Sequence, residues 1–545
     1  MSKFLPADRS SRRSRSWMLA SAVLACSGGA DVYAASGDFI QTEEVVVLGR
    51  RPIAESEMAA LEAQRNYPSL VSIVSADTVG RFPDQNIAFA VGRLPGIGIQ
   101  RDQGQARYVN LRGAPNNWTT ISFDGINVVS PEGRTSRFDN IPSALAAQIE
   151  ARKAVTADMP GETLAGNVNI VTRSPFDYDG FHVQANSGIG YVGLGGNEEV
   201  DTSLVLSNKL ADDTFGVLVS GSYYHRNMVT DNTETDWEPV SADAGLPGAG
   251  DRPLWAREHE NKLYRLTRRN FSWSGRLGWR PEANHDLFLS SIYTTFEDDE
   301  LRSNIRWDLD DRQSGTPDTP CADRPNGGAT VSGGASGYAD VCTGNTPFVG
   351  TVYGVDFIDN FNDLESKESI FTNTLGGDHA LSNGWEIAWR LNYTNTEDGV
   401  NAPALTDYNS PSDRLLRPTV AYDLSDPDRQ RAEVFRTVLD ADGNYTRGER
   451  VIAVENFQRD LVRLRRRWGG TKTDAYTARV TGLRQFDFGT PVDLKLGLEW
   501  SDRTKTDEER IFDIDDDGII AAGLPRDFSA IALDEPYLGD LELGY

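Results

Sequence analysis

"FSWSGRLGWR", residues 271–280, decides the fold. Phe271, Trp273, Gly275, Leu277 and Trp279 alternate with Ser272, Ser274, Arg276, Gly278 and Arg280. Successive side chains of a β-strand point to opposite faces, so this stretch has one apolar and one polar face. A helix would scatter the same residues around its axis. The pattern recurs in "FHVQANSGIGY" (181–191), "WEIAWRLNYT" (385–394) and "VDLKLGLEW" (492–500). It predicts nine strands, near 181–192, 198–209, 214–226, 270–281, 285–297, 366–379, 384–397, 473–486 and 491–503.

The connections between the strands set the architecture. The second, fourth, sixth and eighth are short, as in "LADD", "PEAN", "LSNG" and "DFGTP". The third, fifth and seventh are long, covering residues 227–269, 298–365 and 398–472. In an up-and-down meander, alternate connections lie at the same rim. Short turns at one rim and long loops at the other is the pattern of an outer-membrane β-barrel. A secreted β-sandwich that binds glycans without transport is the soluble alternative, but it has no reason to sort its loops this way.

With 545 residues the chain has room for a small domain beside a large β architecture. Its formal charge of −27 argues against a nucleic-acid partner, because phosphate binding needs basic surface. No interior run reaches the roughly 18 apolar residues of a membrane-spanning helix, which leaves membrane strands open. Residues 1–34 read as a cleaved export signal: Lys3, Arg9, Arg12, Arg13 and Arg15 precede the apolar "WMLASAVLAC" (17–26), and "VYA" (32–34) follows. Once that signal is removed, Cys321 and Cys342 remain and suggest one disulfide closing a glycine-rich loop.

Residues 35–60 read as a flexible arm around "EEVVVLGRR" (43–51), whose Val45-Val46-Val47 run has strand propensity but no neighbouring partner strand. Residues 61–178 have the texture of a compact α+β domain, and 179–545 hold the alternating strands. Within the small domain, "NIAFAVGRLPGIGIQRD" (86–102) predicts a helix with Ile87, Val91 and Leu94 on one side, stopped by Pro95-Gly96 and followed by a strand. "ARYVNLRGA" (106–114) and "TTISFDGINV" (119–128) predict strands, the second closed by an Asp124-Gly125 turn. "IPSALAAQIEARKAV" (141–155) is expected to start as a helix, and "GNVNIVTR" (166–173) to end the domain as a strand.

The order of export signal, "EEVVVLGRR", "LPGIGI", "VNLRG", "GNVNIVTRSPFD" and alternating strands resembles a TonB-dependent outer-membrane receptor. The likeness covers nearly the whole chain from about residue 40. "ADMPGETLAGNVNIVTRSPFD" (157–177) and "VGRFPDQNIAFAVGRLPGI" (79–97) look most like a branch often linked to carbohydrate uptake. Phe89-Ala90 and Ala165-Gly166 depart from it, standing where such receptors commonly carry an acidic residue and paired glycines. The resemblance implies a mostly β fold, with an α+β plug inside an antiparallel transmembrane barrel in the outer membrane. It implies no covalent chemistry, and energy-coupled uptake of a nutrient, with carbohydrate as the expected cargo and a ferric siderophore as the alternative. The implied partner is TonB, docking by strand addition on Glu43, Glu44, Val45, Val46, Val47, Leu48 and Gly49. Such barrels have 22 strands, so nine imply a chain lacking the C-terminal part of its barrel.

Within that frame, Arg112-Gly113 matches the family's "RG" pair and is expected to join plug to barrel carboxylates. Trp237, Trp255 and Trp307 lie in or beside long loops, with Tyr223 and Tyr224 near the exit of the third strand. Exposed, they would suit the apolar faces of a sugar ring. "DIDDDG" (513–518) places Asp513, Asp515 and Asp517 as in the first half of a calcium loop, with Leu524 where the closing Glu would stand. "GIGYVG" (188–193) fits a dinucleotide fingerprint by letter, but it lies inside a strand with no helix after it.

Overall fold

The computed structural model describes residues 57–75, 86–131, 133, 135–194, 197–239, 254–309, 330–331, 341–342, 348–441, 443, 445–451 and 457–527. The expected export signal, the Glu43–Gly49 strand and Cys321 lie outside these residues.

The small domain opens with helix α1 (Glu57–Asn66), which starts inside the stretch expected to be a flexible arm. Strand β1 (Val71–Ser75) and helix α2 (Ile87–Val91) follow. Asn86 caps α2, its side chain accepting a hydrogen bond from Phe89 N at 3.2 Å. A hairpin of β2 (Ile97–Asp102) and β3 (Gln105–Leu111) stands beside a five-stranded sheet. That sheet also holds β4 (Thr119–Phe123), β5 (Ile126–Val128), β6 (Ala146–Arg152) and β7 (Gly166–Thr172), in the order β1-β6-β7-β4-β5. Among the described strands, only β4 and β7 pair in parallel.

The helix expected from residue 141 is a single 3-10 turn, Ser143–Leu145, and β6 takes the rest. Ile149 and Ala151 are buried while Glu150 and Arg152 are partly exposed, a period of two that seats β6 between β1 and β7. Sheet pairing here outweighs helix propensity. Gly166 has φ +152°, and an added Cβ would overlap the Arg152 carbonyl oxygen and come within 2.7 Å of Leu111 Cδ1. Gly166→Ala should therefore destabilise the protein by about 1–3 kcal/mol, measurable by thermal melting, and a loss below a few tenths would refute this reading.

All nine expected strands form, as one antiparallel sheet. They are β8 (His182–Val192), β9 (Asn197–Leu210), β10 (Phe215–Pro239), β11 (Leu254–Glu282) and β12 (His285–Asp308), then four more that begin after three short ones. The short strands are β13 (Thr330–Val331), β14 (Val341–Cys342) and β15 (Val349–Val352). The sheet resumes with β16 (Phe357–Ala380) and β17 (Trp385–Asn409), and a second interruption holds β18 (Pro418–Asp423), β19 (Arg431–Leu439) and β20 (Tyr445–Arg450). It ends with β21 (Asp460–Asp487) and β22 (Pro491–Ile514), after which helix α3 (Asp516–Ala522) follows. The order is that of the chain, and β8 and β22 are the open edges.

Most strands run well past their predicted ends at the long-loop rim, and β11 reaches 29 residues. The long connections shrink to 240–253, 309–356 and 410–459. "NMVTDNTETDWEP" (227–239) has little apolar content to alternate, yet it pairs, because ladder hydrogen bonds come from the backbone.

The two faces of the sheet have different neighbours. On the inner face, Ile292 and Ile370 join a core with Phe138, Ile141 and Ile170 of the small domain. On the outer face Trp273, Trp279, Leu289, Leu375, Leu391 and Trp500 are exposed. Beyond this apolar band, towards the long-loop rim, a sheet of order β15-β18-β19-β20 covers the outer face. It buries Ala256, Ile305, Trp307, Phe357, Val420 and Tyr422 in a second core.

Candidate functional site

The small domain meets the wall through charge. Arg137, between β5 and β6, forms a buried ion pair with Glu368 of β16. Its guanidinium also donates to both Asp139 oxygens, at 3.0 and 2.7 Å, and lies 5.2 Å from the Phe296 ring. Asn140 Nδ2 donates to Glu368 at 3.3 Å, and Asn270 Nδ2 donates to the Asp139 carbonyl at 2.8 Å. At the tip of the β2–β3 hairpin, Arg268 of the wall donates to Gln105 Oε1 at 3.0 Å and lies 3.0 Å from Asp298. Gln103 donates to Glu300 at 3.1 Å.

Towards the short-turn rim the wall supplies the cations and the small domain the acceptors. Arg276 sits 3.6 Å from Asp124 and donates to the Thr172 hydroxyl at 3.0 Å. Arg479 donates to the carbonyls of Gly125 and Asp158, both at 2.9 Å. Lys495 pairs with Asp158 at 2.5 Å and Arg503 with Glu162 at 3.1 Å. Burial would raise the Asp158 carboxyl, but its bonds to Lys495 and Thr156 hold it at about 2. Polar contacts of this kind fix a domain in place yet can be exchanged for water if it moves.

Arg112 does not take part. It is exposed, with no ion pair among the described residues, and its φ of 53° with Gly113 at 76° makes the pair a tight turn. Its N–H donates to the Gly96 carbonyl at 2.8 Å. The role expected of Arg112 falls to Arg137 and to wall arginines. Arg276 was legible as a polar-face residue of "FSWSGRLGWR", whereas nothing local to "SRFDN" (136–140) marks Arg137.

The aromatic candidates separate. Tyr223 points outward and is 40% exposed, in the apolar band. Its neighbour Tyr224 points inward, buried, and donates to Glu199 at 3.2 Å. Trp307 is 1% exposed, its indole donating to Asn261 at 3.0 Å and its ring 5.6 Å from Phe357. Trp237 packs on the same core, 5.5 Å from Phe348. Trp255 lies in β11, its backbone opposite Glu238. Trp307 and Trp237 thus glue the covering sheet to the outer face, which corrects the expectation of exposed stacking surfaces: an indole in a long loop becomes core when the loop folds back.

The acidic run is also a structural feature. Asp513 receives two Arg463 nitrogens, at 3.0 and 2.6 Å, and Asp515 caps α3 by accepting from Gly518 N at 3.0 Å. Asp517 is in the first turn of that helix. With one carboxylate paired and one capping, the calcium loop expected from "DIDDDG" is a strand end and a helix start. Cys342 falls in β14, with the described residues reaching no further into the expected disulfide.

On the inner face at the long-loop rim lies a polar cavity of about 710 Å³. Arg306, Asn360, Asp407, Arg463 and Asp513 line it, and no aromatic residue does. On the outer face Arg459 and Asp359 form a 3.1 Å ion pair, each 1% exposed, beneath the covering sheet. Burial pushes the Asp359 carboxyl up to about 6, against the pull of Arg459. A carboxyl raised in the fold adds stability below its unfolded value, near 3.8, and that contribution is lost as pH rises through about 6. The melting temperature of wild type relative to Asp359→Asn should therefore rise between pH 7 and pH 5. A difference that is flat or falls would contradict the burial argument.

The structure is thus a small α+β domain held by ion pairs on the polar face of a tall antiparallel sheet whose other face carries an exposed apolar band. Residues 63–168 match the family model of the TonB-dependent Receptor Plug Domain, so this part of the chain is such a plug domain. No curated protein sequence matches the chain. Among solved structures, a point mutant of the ferric enterobactin receptor PfeA from Pseudomonas aeruginosa is 12% identical, with a TM-score of 0.32 over 82% of this chain and 73% of that one. The unliganded ferric citrate transporter FecA is 12% identical, with a TM-score of 0.30 over 82% and 98%. The siderophore receptor PiuA from Acinetobacter baumannii is 12% identical, with a TM-score of 0.34 over 82% and 61%. Likeness at this level carries no argument about cargo.

Proposed function

We propose that this chain belongs to a receptor that imports a small nutrient across the bacterial outer membrane, drawing energy through TonB. The observation that carries the reading is the plug domain itself, seated on the polar face of strands whose opposite face is apolar and exposed. Exposed Trp, Phe and Leu side chains on alternate positions of adjacent strands suit lipid on that side. A β-sandwich would cover this face along its length, whereas the β15-β18-β19-β20 sheet covers only the long-loop end and leaves the apolar band exposed. Export through a cleaved signal and TonB docking on Glu43–Gly49 complete the proposal.

For the cargo, a ferric chelate is a better reading than a carbohydrate. The rim cavity is lined by Arg306, Arg463 and the carboxylates of Asp407, Asp513, Asp515 and Asp516, and has no aromatic face for a sugar ring. The test is uptake by cells carrying the full-length gene, offered radiolabelled ferric chelates and labelled oligosaccharides in parallel. Energy-dependent accumulation of a ferric chelate is expected. Accumulation of the oligosaccharide alone would restore the carbohydrate reading, and accumulation of neither would leave no support for import.

A further inference from the structure

Gly221 and Gly275 stand in strand positions that nothing in the backbone reserves for glycine. Neither has a positive φ. A Cβ at Gly221 would meet only the Ser272 carbonyl oxygen, at 3.6 Å, and one at Gly275 would meet Trp273 at 3.8 Å and the Leu218 oxygen at 4.0 Å. Glycine inside a strand costs conformational entropy and forgoes packing, so two on one patch of wall call for a reason. They sit on adjacent strands, Gly221 opposite Trp273 and Gly275 opposite Val219.

A groove of about 410 Å³ runs over Gly221 on the outer face, walled by Leu204, Leu206, Val219, Tyr223, Phe271 and Trp273. Its hydroxyls are engaged elsewhere: Ser220 bonds Ser274 and Ser222 bonds Ser272, each at 2.7 Å, and Thr202 donates to the Asn186 carbonyl at 3.2 Å. A polar ligand would find few partners there. The groove continues the exposed apolar band of the sheet. One outward-facing step beyond Tyr223 and Phe271 stand His225 and Arg269, the latter 2.9 Å from Asp299. Hydrocarbon-like wall below and charge immediately above is the layering of a bilayer boundary.

We propose that this groove docks one acyl chain of a bilayer lipid along β10 and β11. The inference rests on the membrane reading above, since continuity with the lipid-facing band is what selects hydrocarbon as the occupant. An acyl chain gains dispersion contacts with both flanking rows and requires no hydrogen bonds. Gly221, on the groove, leaves it room, and Gly275 leaves room for the Trp273 ring that walls it.

The full-length chain, purified in detergent and equilibrated with dipalmitoyl phosphatidylethanolamine in mixed micelles, should retain lipid in native mass spectrometry. Gly221→Leu, with unchanged circular dichroism and melting, should retain one lipid fewer. Retention equal to wild type would overturn the site while leaving the membrane reading intact. A wild-type chain that is soluble without detergent and retains no lipid would overturn the membrane reading, and the site with it. Should the leucine variant not fold, phosphatidylethanolamine with brominated chains should quench wild-type tryptophan emission by a larger fraction than that of Trp273→Phe. Equal fractions would overturn the site.

Discussion

Arg137→Ala is expected to cost about 3–5 kcal/mol of stability, because it strips the cation from buried Glu368 and the shorter of two cation contacts from Asp139. Arg137 and Glu368 are 6% and 2% exposed, and Asp139 is buried as well. Removing the guanidinium leaves Glu368 with one 3.3 Å bond from Asn140 and Asp139 with Arg107 at 3.8 Å. Desolvation without pairing is what makes such a deletion expensive, and the contact with Phe296 is lost in addition. Glu368→Gln should cost less, since the amide is uncharged, and in the double variant the two losses should fall short of their sum. Urea unfolding of the four proteins measures this. A single-variant loss below about 1 kcal/mol would place the pair among exposed ion pairs of little consequence.

Val46→Pro is expected to abolish energy-dependent uptake while surface binding of the cargo persists. TonB is proposed to dock on Glu43–Gly49. Strand addition draws its affinity from main-chain hydrogen bonds, and proline removes a donor at the centre of the run. The cavity proposed for the cargo lies at the long-loop rim of the wall, so binding should not depend on residue 46. Val46→Ala keeps the backbone donor and should transport near the wild-type rate. Uptake unchanged by proline would remove the strand from the mechanism.

The sequence alone determined the wall. Period-two alternation is a local property, because side chains of a strand take opposite faces whatever lies beyond, and all nine strands of the sheet were legible as a result. Asp124-Gly125 and the short connections were legible for the same reason: turn residues act on their own backbone, and φ is 48° and 83° at that pair. What stayed hidden was whatever depends on residues far apart in the chain. The strand extensions above the apolar band carry no alternation to read, since both of their faces meet protein or polar surroundings. Residues 146–152 became a strand only because β1 and β7 flank them. Trp307 became core only because residues 348–457 fold back over the wall. Arg112, expected to hold the plug, makes a turn, and Arg137, with no local signal, holds it through Glu368, 231 positions later in the numbering. Charge pairing at such separations has no periodicity. The tertiary structure decided it, because a buried ion pair is defined by what the fold desolvates together.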